Sequence, residues 1–159
     1  MTRGQFFRAG VGICLLARDG RVLALERYDL PGAWQLPQGG LDEGEEPVDA
    51  ARRELYEETG LSWDSVRLLC EHPRWLAYEL EPGMRLADTG RGQVQRWFVV
   101  RLIDPDSDIY LGRVDARKGR PEFRAYEWMG LAELVDRAAP FRRPVYLDLL
   151  NYVESLPRD

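Results

Sequence analysis

Three glutamates, Glu54, Glu57 and Glu58, have the residue type and the spacing to hold a hard cation. On a helix, positions i, i+3 and i+4 project from one side with their bases roughly 5–6 Å apart. Carboxylate oxygens are the ligands that hard divalent ions take. These glutamates close the segment GGLDEGEEPVDAARRELYEETGL, residues 39–61. Within it Gly39, Glu45, Arg53, Glu54, Leu55, Glu57, Glu58, Gly60 and Leu61 stand at fixed gaps. Eight acidic side chains face two arginines between residues 41 and 60, a net charge of −6 against −5 for the whole chain. A cluster this dense repels itself unless it is solvated or holds cations. The segment asks for a metal.

The neighbouring residues predict how those glutamates are presented. Pro47 suits the first turn of a helix and Gly60 its C-cap. Between them PVDAARRELYEET carries an apolar row at Val48, Ala51 and Leu55, the face such a helix buries. The preceding loop, residues 38–44, has three glycines, which permit tight turns and close backbone approach. Glu45, at the junction of loop and helix, is placed to hold Arg53.

The rest of the chain reads as one domain over residues 1–159, long enough for a real core. Val11–Ala17 and Val22–Tyr28 read as strands joined by the Asp19-Gly20 turn. Further strand-like runs lie at 66–71, 75–80, 94–103 and 126–129, and helices at 131–138 and 145–156. Residues 104–120 are polar and turn-rich, and read as a long loop. Irregular alternation of strands and helices predicts an α/β fold, a mixed β-sheet sandwiched between α-helices. No run reaches the length of a membrane span, and the first ten residues lack a signal peptide's apolar core. Cys14 and Cys70, each in an apolar segment, read as buried free thiols, which points to the cytoplasm. Arginine outnumbers lysine 21 to 1, which reads mainly as composition bias. Outside residues 41–60 the charge is +1, so no broad basic face for duplex DNA is expected.

The nine-position pattern is the signature of the Nudix hydrolases, and the chain resembles that family with no departure at any fixed position. The resemblance implies the Nudix fold and hydrolysis of a nucleoside diphosphate linked to another group, by water attack on phosphorus. It implies Mg²⁺ or Mn²⁺ held by Glu54, Glu57 and Glu58, with a backbone carbonyl near Gly39. Arg53 is then structural, tethering Glu45. Phosphoryl and nucleotidyl transfer need positioning and charge neutralisation, which clustered metal ions supply.

A second layer of resemblance concerns the substrate. Residues 34–40 (WQLPQGG), 74–78 (RWLAY), 92–98 (GQVQRWF), 121–123 (PEF) and 141–146 (FRRPVY) are similar to bacterial RNA pyrophosphohydrolases and plant-type diadenosine polyphosphate hydrolases. Arg142 stands where lysine is usual in the RNA enzymes. The resemblance makes Glu122 an extra metal ligand or the general base, and Arg8, Arg27 and Arg142 phosphate contacts. Gln93 joins them as a substrate contact. Tyr78 and Phe141 are candidates to stack on a nucleobase, as aromatics do with unpaired nucleotides, or else belong to the core. Trp34 and Trp97 read as packing residues. His72, the sole histidine, has no nearby ligand-type partner in the sequence and is not read as catalytic.

Three functions follow. The first is a metal-dependent enzyme that removes pyrophosphate from 5′-triphosphate RNA ends or cleaves dinucleoside polyphosphates, as a monomer or homodimer. The second is a sanitising hydrolase of free nucleoside triphosphates, oxidised ones included. The third is a non-catalytic nucleotide-binding module. The complete glutamate set argues against the third, and the 34–40 and 92–98 segments favour the first over the second.

Overall fold

The computed structural model describes residues 5–87, 89–115 and 119–157. Its centre is strand β1 (Phe7–Leu16), whose side chains alternate between two cores. Val11, Ile13 and Leu15 face one side, and Cys14 and Leu16 the other. The Asp19-Gly20 turn closes a hairpin onto β2 (Val22–Arg27), with Leu16 opposite Val22. Both strands stop one residue short of expectation at their C-terminal ends. β1 begins four residues earlier, because its polar N-terminal end pairs in parallel with β7 (Gly92–Leu102). That pairing runs from Phe7 opposite Gly92 to Leu16 opposite Arg101, and it sets Arg8 beside Gln93.

Two short strands that the sequence did not announce carry the residues of interest. They are β3 (Trp34–Gln35) on β2 and β4 (Gln38–Gly40) on β1. Strand β5 (Val66–Glu71) lies antiparallel to β7, and β6 (Leu76–Glu79) pairs with β7 through Tyr78 opposite Gln93. The polar stretch 104–120, expected to be loop throughout, contains a small ladder of β8 (Val114–Asp115) and β9 (Arg120–Pro121). Strand β10 (Phe123–Met129) completes the main sheet, in the order β10-β2-β1-β7-β5.

Helix α1 (Pro47–Thr59) has the bounds that its proline and glycine dictate. Gly60 adopts φ 74°, and its N–H donates to the Tyr56 carbonyl at 2.8 Å. Ala50, Ala51 and Leu55 bury against Val11, Ile13, Leu23, Phe98 and Val100 on one face of the sheet. Helices α2 (Leu131–Arg137) and α3 (Arg143–Ser155) cover the other face, over Trp34, Trp97, Val99 and Met129. A sheet between helices is what the sequence predicted. Tyr146 of α3 reaches back to accept the Leu36 N–H at 3.0 Å, which fixes the turn entering β4. Its burial raises the Tyr146 phenol to about 12, so it remains a hydroxyl. Both cysteines are free. Cys14 is buried, whereas Cys70 is only half-buried, because it lies on the sheet-edge strand β5. Among the described residues no helix is long and apolar enough to cross a membrane.

Candidate active site

Arg53 organises the acidic segment. Its Nε and Nη2 donate to Glu45 Oε2 and Oε1 at 3.0 and 2.8 Å, a two-pronged pair. Nη2 also donates to the Gly40 carbonyl at 2.8 Å, and Nη1 to Glu54 Oε1 at 2.7 Å and Glu57 Oε2 at 3.4 Å. Glu45 in turn accepts the Asp42 N–H at 3.1 Å, so one guanidinium ties loop, strand β4 and helix α1 together. These contacts hold the Glu45 carboxyl below its ordinary range and the Arg53 charge in place.

The glutamates on the helix differ in environment. Glu54 is 8% exposed, and its carboxyl lies flat on Gly39; a Cβ built there would come within 1.9 Å of Glu54 Cδ. Glu58 is 7% exposed and accepts the Gln38 N–H through Oε2 at 3.1 Å. Glu57 stays exposed. Glu122, between β9 and β10, faces Arg27 at 3.6 Å. Burial first, then the charge of Glu57, lifts Glu54 from 4.5 to about 7 against the pull of Arg53. Burial, then Glu122 and Glu54, holds Glu58 well above the usual carboxylate range. These groups resist ionising together.

All four glutamates line one cavity of about 590 Å³ with Arg8, Gly39 and Gln93. Arg8 reaches over Gly40, where an added Cβ would meet its Nη2 at 2.5 Å. Among the described residues no three acidic, histidine or cysteine side chains already converge as a chelate. The donor set nevertheless fits a hard divalent ion. It offers oxygens alone, its buried carboxylates repel one another, and Gly39 leaves room for the Glu54 carboxyl on the main chain. An ion would compete with Arg53 and the Gln38 amide for those oxygens.

A second cavity of about 510 Å³ adjoins the first, and Gln38, Gln93 and Glu122 line both. Arg27, Tyr78, Phe141 and Arg142 line the second. Asp29 grips Arg27 at 2.8 and 2.9 Å, and Gln35 Oε1 accepts from it at 3.2 Å. Burial opposes the Arg27 charge, but Asp29 and then Glu122 outweigh it and raise its pKa. Arg142 is 7% exposed; its Nη1 donates to Gln38 Oε1 at 2.9 Å and its guanidinium lies 5.0 and 5.1 Å from the Tyr78 and Phe141 rings. The two rings tilt against each other at 5.4 Å. Tyr78 is mostly core and gives the cavity its hydroxyl edge, whereas half-buried Phe141 presents more of its ring.

Each candidate site residue named from the sequence lies on one of the two cavities, apart from Glu45, which pairs with Arg53, and Gly60, which caps α1. Trp97 packs in the core as expected, and Trp34 packs there while also touching the second cavity. His72 lies on neither cavity. It has a partner 76 residues away, Asp148 of α3, at 2.7 Å, which local sequence could not reveal. Sequence reasoning also missed Asp29, Gln35, Gln38 and Gln95 as working residues. Gln93 and Gln95 share one face of β7 by strand alternation, a signal that could have paired them.

The geometry agrees with comparison to known proteins. A model of the NUDIX domain matches residues 6–149. The chain belongs to the Nudix family. This Nudix protein is 40% identical over 148 residues to an RNA pyrophosphohydrolase of Cereibacter sphaeroides, covering 91% of this chain and 88% of that one. It is 42% identical over 154 residues to an RNA pyrophosphohydrolase of Gluconobacter oxydans, covering 94% and 87%. Its fold matches the crystal structure of a C. elegans Ap4A hydrolase binary complex with TM-score 0.69 and 20% identity, over 94% of this chain and 99% of that chain. It is a hydrolase of pyrophosphate bonds, and Nudix hydrolases generally need divalent metal ions.

Proposed function

We propose that this Nudix hydrolase removes pyrophosphate from the 5′-triphosphate end of RNA in the cytoplasm, with Mg²⁺ or Mn²⁺. The observation that carries the reading is the junction of the two cavities. A carboxylate-lined chamber suited to cations and phosphates shares Gln38, Gln93 and Glu122 with a chamber of aromatic rings and arginines suited to a nucleotide. An RNA end has both parts in that order. The names of the relatives at about 40% identity support RNA over a dinucleoside polyphosphate.

Glu54, Glu57 and Glu58, with a backbone carbonyl near Gly39, would hold the metal. The bound ion supplies charge neutralisation and a more acidic water. Arg8 at the acidic chamber, and Arg27 and Arg142 at the aromatic one, orient the phosphate chain and offset its charge. Phe141 and the edge of Tyr78 seat the base, so the scissile phosphorus rests near Glu122. Glu122, from outside the helix, is the side chain available to take a proton from the attacking water. Catalysis here is positioning and electrostatics.

The test is an assay for released pyrophosphate from 5′-triphosphate RNA with excess chelator, then with Mg²⁺ or Mn²⁺ restored. Activity only with metal supports the reading. Undiminished turnover in chelator rules it out.

A further inference from the structure

Gln38 stands where the two cavities meet, and its polar atoms engage both. Oε1 accepts from Gln95 Nε2 at 2.5 Å, Arg142 Nη1 at 2.9 Å and the Tyr78 hydroxyl at 3.3 Å. Its backbone N–H donates to Glu58 Oε2 at 3.1 Å. The side chain is therefore held by walls of the aromatic chamber while the main chain holds a carboxylate of the acidic one. The next residue, Gly39, lies under the Glu54 carboxyl, so a shift of strand β4 reaches two of the four glutamates.

The chemistry of Oε1 makes this joint responsive. A carbonyl oxygen has two lone pairs, and here three donors share them. The charged donor, Arg142, makes the stronger claim, and with Tyr78 it lines the aromatic chamber. An apolar residue at 38 would leave Gln95 Nε2 with its bond to Gln93 Oε1 at 3.0 Å and Arg142 Nη1 with only a longer one to the Tyr78 hydroxyl at 3.4 Å. A carboxylate there would add charge beside Glu58 and Glu122.

We propose that Gln38 is a positioning residue through which occupation of the aromatic chamber sets the acidic chamber. A nucleotide end seated on Phe141 fixes Arg142, Arg142 fixes the Gln38 side chain, and the Gln38 amide fixes Glu58. The inference rests on the nucleotide reading of the second cavity given above. It makes recognition of the substrate's end contribute to kcat as well as to KM.

Two measurements test it. Deuterium exchange of the 38–40 amides is followed in the wild-type protein with and without guanosine or adenosine, which carry no phosphate for the acidic chamber. Protection should rise by about fivefold or more, the low end of ordinary coupling between sites. Gln38→Met keeps the backbone donor and removes Oε1. It should melt within a few degrees of wild type yet bind Mn²⁺ about tenfold more weakly, as when a residue supporting a ligand is lost. Its kcat should fall more than its KM rises. Unchanged exchange with nucleoside overturns the proposal, and this holds whether or not the variant folds. Wild-type Mn²⁺ affinity with only KM raised also overturns it, leaving Gln38 as a wall of the cavity. Nucleoside-dependent protection in a protein that leaves 5′-triphosphate RNA intact would overturn the substrate reading and keep the coupling.

Discussion

Arg53 and Glu45, eight residues apart, form a two-pronged pair at 3.0 and 2.8 Å that fastens the glycine-rich loop to helix α1. Lysine keeps the charge but cannot reproduce the fork. Arg53→Lys should lose about 1 kcal/mol of stability, a modest figure because the pair is partly solvated. Its loss of kcat should be disproportionate, since Glu54, Glu57 and the Gly40 carbonyl share the same guanidinium. Thermal melting beside steady-state kinetics checks this; a fall in kcat no larger than the loss of folded protein would contradict it.

Glu57 is the exposed member of the acidic set, so its removal separates chemistry from folding. Glu57→Gln exchanges one good helix former for another. Stability should stay near wild type while kcat falls by about 10³ or more, several kcal/mol of transition-state stabilisation. Near-normal kcat would remove Glu57 from the ligand set.

Gly39 has no room for a side chain, since its Cβ would sit on the Glu54 carboxyl. Gly39→Ala must displace that carboxyl or strand β4. Overpacking of this kind costs about 1–3 kcal/mol, and divalent-ion binding should weaken with it. Calorimetric titration with Mn²⁺ reads the second effect directly, and unchanged affinity would mean that Glu54 is not a ligand.

The raised carboxyls make metal binding depend on pH. Glu54 titrates near 4.5 when unfolded and about 7 when folded, so between those values the folded chain holds more protons. Stability of the metal-free protein from this group is therefore full below about 4.5 and lost as pH rises through about 7. A divalent ion displaces the proton, so the rise in Tm on adding Mg²⁺ should be larger at pH 8 than at pH 6. Equal shifts at both pH values would contradict the assignment.

The architecture was legible in the sequence wherever local signals were strong. Pro47 and Gly60 delimit α1 to the residue, and alternating apolar runs mark the long strands. The short strands β3 and β4 were not legible, because two or three residues carry no periodicity; pairing with β1 and β2 alone makes them strands. The same holds for the site. The helix glutamates and Arg53 announce themselves by spacing. Gln38, Gln95 and the Asp148 partner of His72 act through contacts made only when distant elements pack, whereas Asp29 pairs with Arg27 two residues away.

Phe141 offers a ring beside a buried arginine, and a base stacked there is worth about 1–3 kcal/mol. Phe141→Ala should raise KM for nucleotide-bearing substrates by roughly 5- to 150-fold. Inorganic polyphosphate, which has no base, should be turned over as before. Equal loss on both would assign Phe141 to the fold.

The most direct test of the account compares kcat/KM of the purified protein with Mg²⁺ on three substrates: a 5′-triphosphate RNA oligonucleotide, diadenosine tetraphosphate and free nucleoside triphosphates. The account predicts that the RNA end is preferred by about tenfold or more, about 1.4 kcal/mol of differential transition-state binding. A preference for free nucleoside triphosphates, or turnover of none of the three, would contradict it.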